Sequence, residues 1–176
     1  MFKNFFKLLL ISFLLVGCVA TPPLPSETRI AQLSKLLQSL DKSIPQDEVI
    51  HLSQDIFHET QKLTKEFKLT SPPLFHNSLV NIGIREKGLC YHWSDALYVY
   101  LSEKKYSHFE FHLVGANIGE YFLEHNALVV VVKNGSIRNG ILVDPWRNSG
   151  KLYFSRVVED KKYQWKHREE RGCARR

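Results

Sequence analysis

Apolar residues recur at helical spacing through the first part of the chain, then at every second position over one segment and in short unbroken runs beyond it. Ile30, Leu33, Leu36, Leu37 and Leu40 form one stripe over Glu27 to Leu40, behind Ser26 as N-cap. Ser43-Ile44-Pro45 ends that helix. A second is predicted from Gln46 to Lys68, with Val49, Ile50, Ile56, Phe57 and Phe67 on its buried side. Thr70-Ser71-Pro72-Pro73 separates this pair from the rest of the chain. Asn77 to Arg85 reads as a short helix halted by Lys87-Gly88. Leu89 to Lys104 reads as a longer one, with Cys90, Trp93, Leu97 and Leu101 on one inward face.

From Tyr106 the pattern alternates. His108, Glu110 and His112 oppose Phe109, Phe111 and Leu113, which predicts a strand with one wet face. Gly115 to Gly119 reads as a loop, and Gly119 to Glu124 as a short strand or turn. Leu128 to Val132 is apolar on both faces and belongs inside a sheet. Ile141 to Val143 is a further buried strand, and Lys151 to Val158 another. A two-residue turn at Asn134-Gly135 would set His125 directly opposite Asp144, on one face of an antiparallel pair. Asn139-Gly140 offers a competing turn. The class predicted is α+β, with helices packed on an antiparallel sheet.

Three residues at the ends of these elements carry chemistry. Cys90 opens a helix in Gly88-Leu89-Cys90-Tyr91-His92-Trp93, where unpaired N–H groups and the helix dipole favour a thiolate. His125 opens a valine-rich strand, and Asp144 closes one in Leu142-Val143-Asp144-Pro145-Trp146. Thiol, imidazole and carboxylate in this order are the parts of an activated-nucleophile triad. Gly-x-Cys at a helix start, histidine at a strand start and an acid before proline together resemble the transglutaminase-like branch of the papain-type superfamily, over about Asn77 to Trp146. The resemblance implies a papain-like/transglutaminase-like domain with the nucleophile at the N-terminus of a central helix. It implies Cys90 attacking an amide carbonyl, His125 transferring the proton and Asp144 orienting the imidazole. Water as the second acceptor makes a peptidase, the reading preferred for an envelope protein; an amine makes a transglutaminase.

Other histidines fit the base less well. His92 lies two residues past Cys90 and points elsewhere on a helix, while His108 and His112 share the wet face of another strand. His51 and His58, seven residues apart on one helix, are read as solvent-facing, because no further ligand has suitable spacing for a metal. Asn126 is a neighbour of the site or a plain polar strand residue. For the oxyanion the Cys90 backbone N–H is the expected donor. Papain-type enzymes often add an upstream glutamine. None stands shortly before Cys90, and Asn77 and Asn81 are the candidate substitutes. Tyr91, Trp93, Tyr121 and Trp146 are candidates to line a cleft, against the commoner role of core aromatics. Two other classes stay open. One is a catalytically silent module binding an envelope partner; the other is a murein-cleaving cysteine hydrolase, whose Asp-Cys-Ser-Gly signature is absent.

The N-terminus places the domain. Lys3 and Lys7 precede an apolar run, Leu8 to Val16, too short to span a bilayer. Leu15-Val16-Gly17-Cys18 resembles the bacterial lipobox, which implies a signal peptide over 1–17 and an acylated Cys18. Val19 stands where an inner-membrane retention aspartate would be. By resemblance to sorted lipoproteins this favours the periplasmic face of the outer membrane. Residues 18–26 then form the lipidated cysteine and a proline-rich tether, and 27–176 one domain: helices over 27–69, a core over 77–158 and a basic tail over 159–176. The tail (Lys161, Lys162, Lys166, Arg168, Arg171, Arg175, Arg176) reads as a solvated, partly frayed terminus. Export and the lack of a binding motif disfavour nucleic acid. The partners expected are a lipid membrane and an envelope protein or peptide, with no cofactor or metal. With Cys18 acylated, Cys90 and Cys173 remain, and Cys90 is expected as a free thiol rather than a disulfide partner of Cys173.

Overall fold

The structure, a computed structural model, describes residues 26–120 and 122–172. Cys18 with its preceding segment and tether, Tyr121 and Cys173 lie outside the described residues. The α+β class holds: four helices pack against a five-stranded antiparallel sheet. Helix α1 spans Glu27–Gln38, α2 Gln46–Glu66, α3 Pro73–Asn81 and α4 Cys90–Glu103. The strands are β1 Phe109–Ala116, β2 His125–Val132, β3 Ile141–Asp144, β4 Tyr153–Arg156 and β5 Lys166–His167, in the order β4-β3-β2-β1-β5. Among the described residues, no helix is long and apolar enough to cross a membrane.

Both long N-terminal helices follow the stripes in the sequence. Ser26 Oγ accepts the Arg29 N–H, a cap that satisfies one of the first-turn donors. Helix α3 departs from expectation by starting at Pro73 rather than Asn77. Proline fits the first helical position because its missing N–H has no intrahelical partner there and its φ is preset.

The sheet is apolar on both faces because both are covered. Phe109, Leu113, Leu128, Val130, Ile141 and Val143 meet Trp93, Leu97 and Leu101 of α4 and the residues of α1 and α2 behind them. Ala127, Val129, Val131 and Leu142 form a second, smaller core with Tyr153, Val157 and Trp165. Val157 and Trp165 of this second layer come from the chain beyond β4. Residues 160–172, expected as a solvated tail, instead fold back across the sheet. β5 pairs with β1, and buried Arg168 bonds Asp95 of α4 through Nη2 at 2.5 Å. Gly172 donates its N–H to the other Asp95 oxygen at 2.6 Å. A basic residue count describes the surface of this segment; Trp165 and Arg168 decide its fate.

The β2–β3 register also differs. Leu128 pairs with Val143, Val129 with Leu142 and Val130 with Ile141. Continuing that ladder sets Asp144 across from Ala127, two residues from the expected partner. The connection is longer than a two-residue turn, because Ser136 Oγ accepts the Arg138 N–H and starts a short 3-10 helix at Ile137–Asn139. A slip of one would have put Asp144 on the wrong face; a slip of two keeps it on the face of His125. Strand β4 is shorter than the expected Lys151 to Val158, ending in a second 3-10 turn at Val157–Glu159.

Candidate active site

Cys90 is the first residue of α4, and its turn is held from three sides. Gly88, at φ +122°, occupies backbone space closed to L-residues. A Cβ there would lie 2.1 Å from His76 Nε2. His76 is fully buried: Nδ1 accepts the Thr70 N–H, and Nε2 donates to the Lys87 carbonyl at 2.9 Å. His92 turns back on its own helix start, where Nδ1 accepts the N–H groups of both Gly88 and Leu89 at 3.1 Å. Trp93 Nε1 donates to the Gly88 carbonyl. Burial pushes both His76 and His92 below the ordinary imidazole value, in keeping with a neutral ring that must accept a hydrogen bond. Gly88→Ala should therefore cost about 2 kcal/mol or more. Urea unfolding checks this, and a loss within a few tenths would show that the turn yields easily.

Around the end of the sheet the three sequence-predicted residues meet. His125 Nε2 and Asp144 Oδ2 lie 2.7 Å apart, and both side chains are almost wholly out of water. Nδ1, the other nitrogen, is buried and has no hydrogen-bond partner among the described residues. Burial alone would lower the imidazole's pKa. The Asp144 carboxylate and, after it, Cys90 outweigh burial and bring it up to about 9. Cys90 is a free thiol, 7 % exposed. Its Sγ lies 3.9 Å from the Glu124 carbonyl and 3.7 Å from Asn126 Nδ2. Asn126 Nδ2 also donates to Glu124 Oε1, and Glu124 Oε2 accepts the Gly119 N–H. One carboxylate thus ties the 117–124 loop to the strand that carries His125.

Asp144 is itself gripped. Its Oδ2 accepts the Arg147 Nε–H at 2.9 Å, and its Oδ1 the Arg147 backbone N–H at 3.1 Å. Burial would raise this carboxyl, but His125 and Arg147 hold it below the ordinary value. The far side of Arg147 forms a two-pronged pair with buried Asp160, at 3.2 and 2.6 Å. Asp160 also accepts from Trp165 Nε1 and the Lys162 N–H. Trp146, Tyr163 and Trp165 surround the imidazole with ring centroids at 4.7, 4.6 and 5.5 Å. This wall excludes water and presents electron-rich faces to a cation.

The remaining candidates are distributed unevenly. Asn77 stands beside the site, its Oδ1 accepting from Trp146 Nε1 at 3.0 Å. Asn81 is exposed at the last turn of α3, and among the described residues no contact links it to Cys90. Trp146 packs on His125, as a cleft residue would. Trp93 does not line a cleft: it is fully buried in the main core against Phe67, because its helical spacing from Cys90 puts it on the inward face. Tyr91 stacks on His92. His108 does have an acidic partner, Glu48 at 2.7 Å, but at the opposite end of β1 from the thiol. His51 and His58 are exposed, and no group of metal-holding side chains occurs among the described residues.

Sequence reasoning missed Arg147, Asp160, Tyr163 and Trp165, and weighed Asn126 only lightly. The one signal for them was the aromatic pair Tyr163 and Trp165 inside an otherwise charged stretch. No family model, curated protein or solved structure matches this chain.

Proposed function

We propose that the protein is a thiol-dependent amide hydrolase, a peptidase with a Cys90-His125-Asp144 site on a transglutaminase-like, papain-type fold. The observation that carries this reading is one buried imidazole with Nε2 on a fixed carboxylate, Nδ1 without a partner among the described residues and a free thiol acting on its titration. Such an imidazole holds a proton at neutral pH and so favours the thiolate beside it. The Cys90 sulfur attacks the amide carbonyl carbon, and the carbonyl oxygen takes the negative charge. The Cys90 N–H, a first-turn donor with no intrahelical acceptor, is the donor for that oxygen, with the Asn126 amide beside the sulfur as a side-chain candidate. His125 gives its proton to the leaving nitrogen as the C–N bond breaks, and a thioester remains. Water then adds to the thioester carbon as His125 accepts a water proton, and the C–S bond breaks to release the acid and return Sγ as the thiolate beside the protonated imidazole.

The lipobox-like Cys18 and its tether support an envelope protein held by lipid, on the periplasmic face of the outer membrane, acting on a protein or peptide there. Incubation of the purified protein with a peptide library, read by mass spectrometry, tests the activity. Cleavage lost in Cys90→Ser supports the reading. Incorporation of an added primary amine in place of water would mark a transglutaminase. A thiol that accepts neither substrate nor a small electrophile would favour a silent module that binds its partner.

A further inference from the structure

Strand directions gather one end of the molecule. Ala116 closes β1 opposite His125, which opens β2, and Asp144 closes β3 opposite Tyr153, which opens β4. The start of α4 is there too, through Cys90 and Asn126. So is α3, through Asn77 on Trp146 and His76 against the Gly88 turn. The start of α1 also belongs to this end, since Arg29 donates to the Leu152 carbonyl just before β4, while Ser39 beyond its last turn meets Arg156. The chain from the tether therefore enters the domain at the end that bears Cys90.

Exposed large apolar side chains gather at the same end. Leu74 and Phe75 lie on α3, and Ile82 and Ile84 just after it. Ile118, Phe122 and Leu123 lie on the loop that leads into His125, with Phe122 88 % and Leu123 61 % exposed. Only Ile50 and Val158, of the nine such residues described, lie elsewhere, at the opposite end. Two segments at the end that bears the thiol thus show water an apolar surface. A monomer rarely keeps such a surface without a use.

We infer that this end of the domain docks on a lipid bilayer, with Leu74 and Phe75 of α3 and Ile118, Phe122 and Leu123 of the loop before β2 entering the interface. The inference rests on the acylated Cys18 of the proposed function. Residues 18–25 span at most about 28 Å when fully extended, so the anchor holds this end within reach of the membrane. The tether permits contact, and the apolar side chains select which face makes it. Amphipathic surfaces of this kind settle at the boundary of headgroups and acyl chains. The site would then meet amide bonds in chains that emerge from the bilayer, rather than chains free in solution.

Tryptophan quenching tests this on the full chain, isolated with its natural N-terminus and placed in vesicles of phosphatidylethanolamine and phosphatidylglycerol. Phe122→Trp and Leu74→Trp should each lose about half of their added emission to lipids brominated high on the acyl chain. Ile50→Trp and Val158→Trp, at the other end, should lose almost none. Equal quenching at both ends, or none at Phe122→Trp and Leu74→Trp, overturns the docking. So does a concentration-dependent dimer that shields Phe122→Trp without lipid. The mass of the N-terminal peptide is measured on the same sample: diacylglyceryl on Cys18 supports the anchor, and a start at Ala20 or later rejects it. Quenching decides the docking and the peptide mass decides the anchor, so the two can fail separately.

Discussion

His125→Ala is expected to slow alkylation of Cys90 by iodoacetamide at pH 6 by about 100-fold. A cysteine without a cationic neighbour, of pKa about 8.5, is roughly 0.3 % thiolate at that pH. The His125 imidazolium pairs with the charge of the attacking sulfur, and the substitution removes that partner. Because the His125 pKa lies at about 9, above the ordinary imidazole value, turnover should fall on the alkaline side near pH 9, where the proton for the leaving amine is lost. The same shift contributes stability that is full below about pH 6.5 and lost as pH rises through about 9. Asp144 acts in the opposite sense: its lowered pKa contributes stability above the ordinary carboxylate value, lost as the solution is acidified. Asp144→Asn should leave the fold intact but cut turnover by about 100-fold or more, since the imidazole loses its charged partner. His108→Ala should change neither rate, because His108 pairs with Glu48 at the far end of β1. An alkylation curve that is the same in His125→Ala as in the parent, with circular dichroism unchanged, would refute the pairing of thiol and imidazole.

Replacing Arg147 by methionine is expected to cost about 3–5 kcal/mol of stability, more than any exposed charge in the molecule. Among the described residues, Arg147 is the only cation set between two buried carboxylates, and without it Asp144 and Asp160 face one another across an apolar gap. Its guanidinium also lies 4.0 Å from the Tyr153 ring centre. Lysine has one charged atom where arginine has three nitrogens in a plane, so Arg147→Lys can serve one carboxylate but not both. It should fall between the parent and Arg147→Met in a urea titration. A loss under about 1 kcal/mol for methionine would mean that the pair is screened by water.

The parts of this fold legible in the sequence are those where one element decides its own shape. Ile30 to Leu40 and Cys90 to Leu101 repeat at helical spacing, and their helices fall where that spacing puts them. Leu128 to Val132 is apolar on both faces and lies in the middle of the sheet. Placing Cys90, His125 and Asp144 at element ends brought the site within reach, since each end is marked by a break in pattern. What stayed hidden depends on distant partners. Ser136 capping its own short 3-10 turn lengthened the hairpin and moved the register by two. Asp160 and Trp165 carry no local signal of the arginine and imidazole that they serve. His76 sits on a short helix with no charged neighbour in sequence, yet its ring fills the space that Gly88 leaves open.

The returning segment from Asp160 to Gly172 sets an order of events. Arg168 reaches Asp95 across 73 positions, and Trp165 and Tyr163 close over an imidazole that was threaded well before them. A chain made N-terminus first presents the thiol, the histidine and the aspartate before Tyr163, Trp165 and the guanidinium's far anchor exist. Until that segment arrives, only Trp146 of the three rings lies against His125, and Arg147 holds Asp144 without an anchor of its own. The surroundings of the Cys90, His125 and Asp144 cluster are therefore complete only once the last part of the described chain is in place.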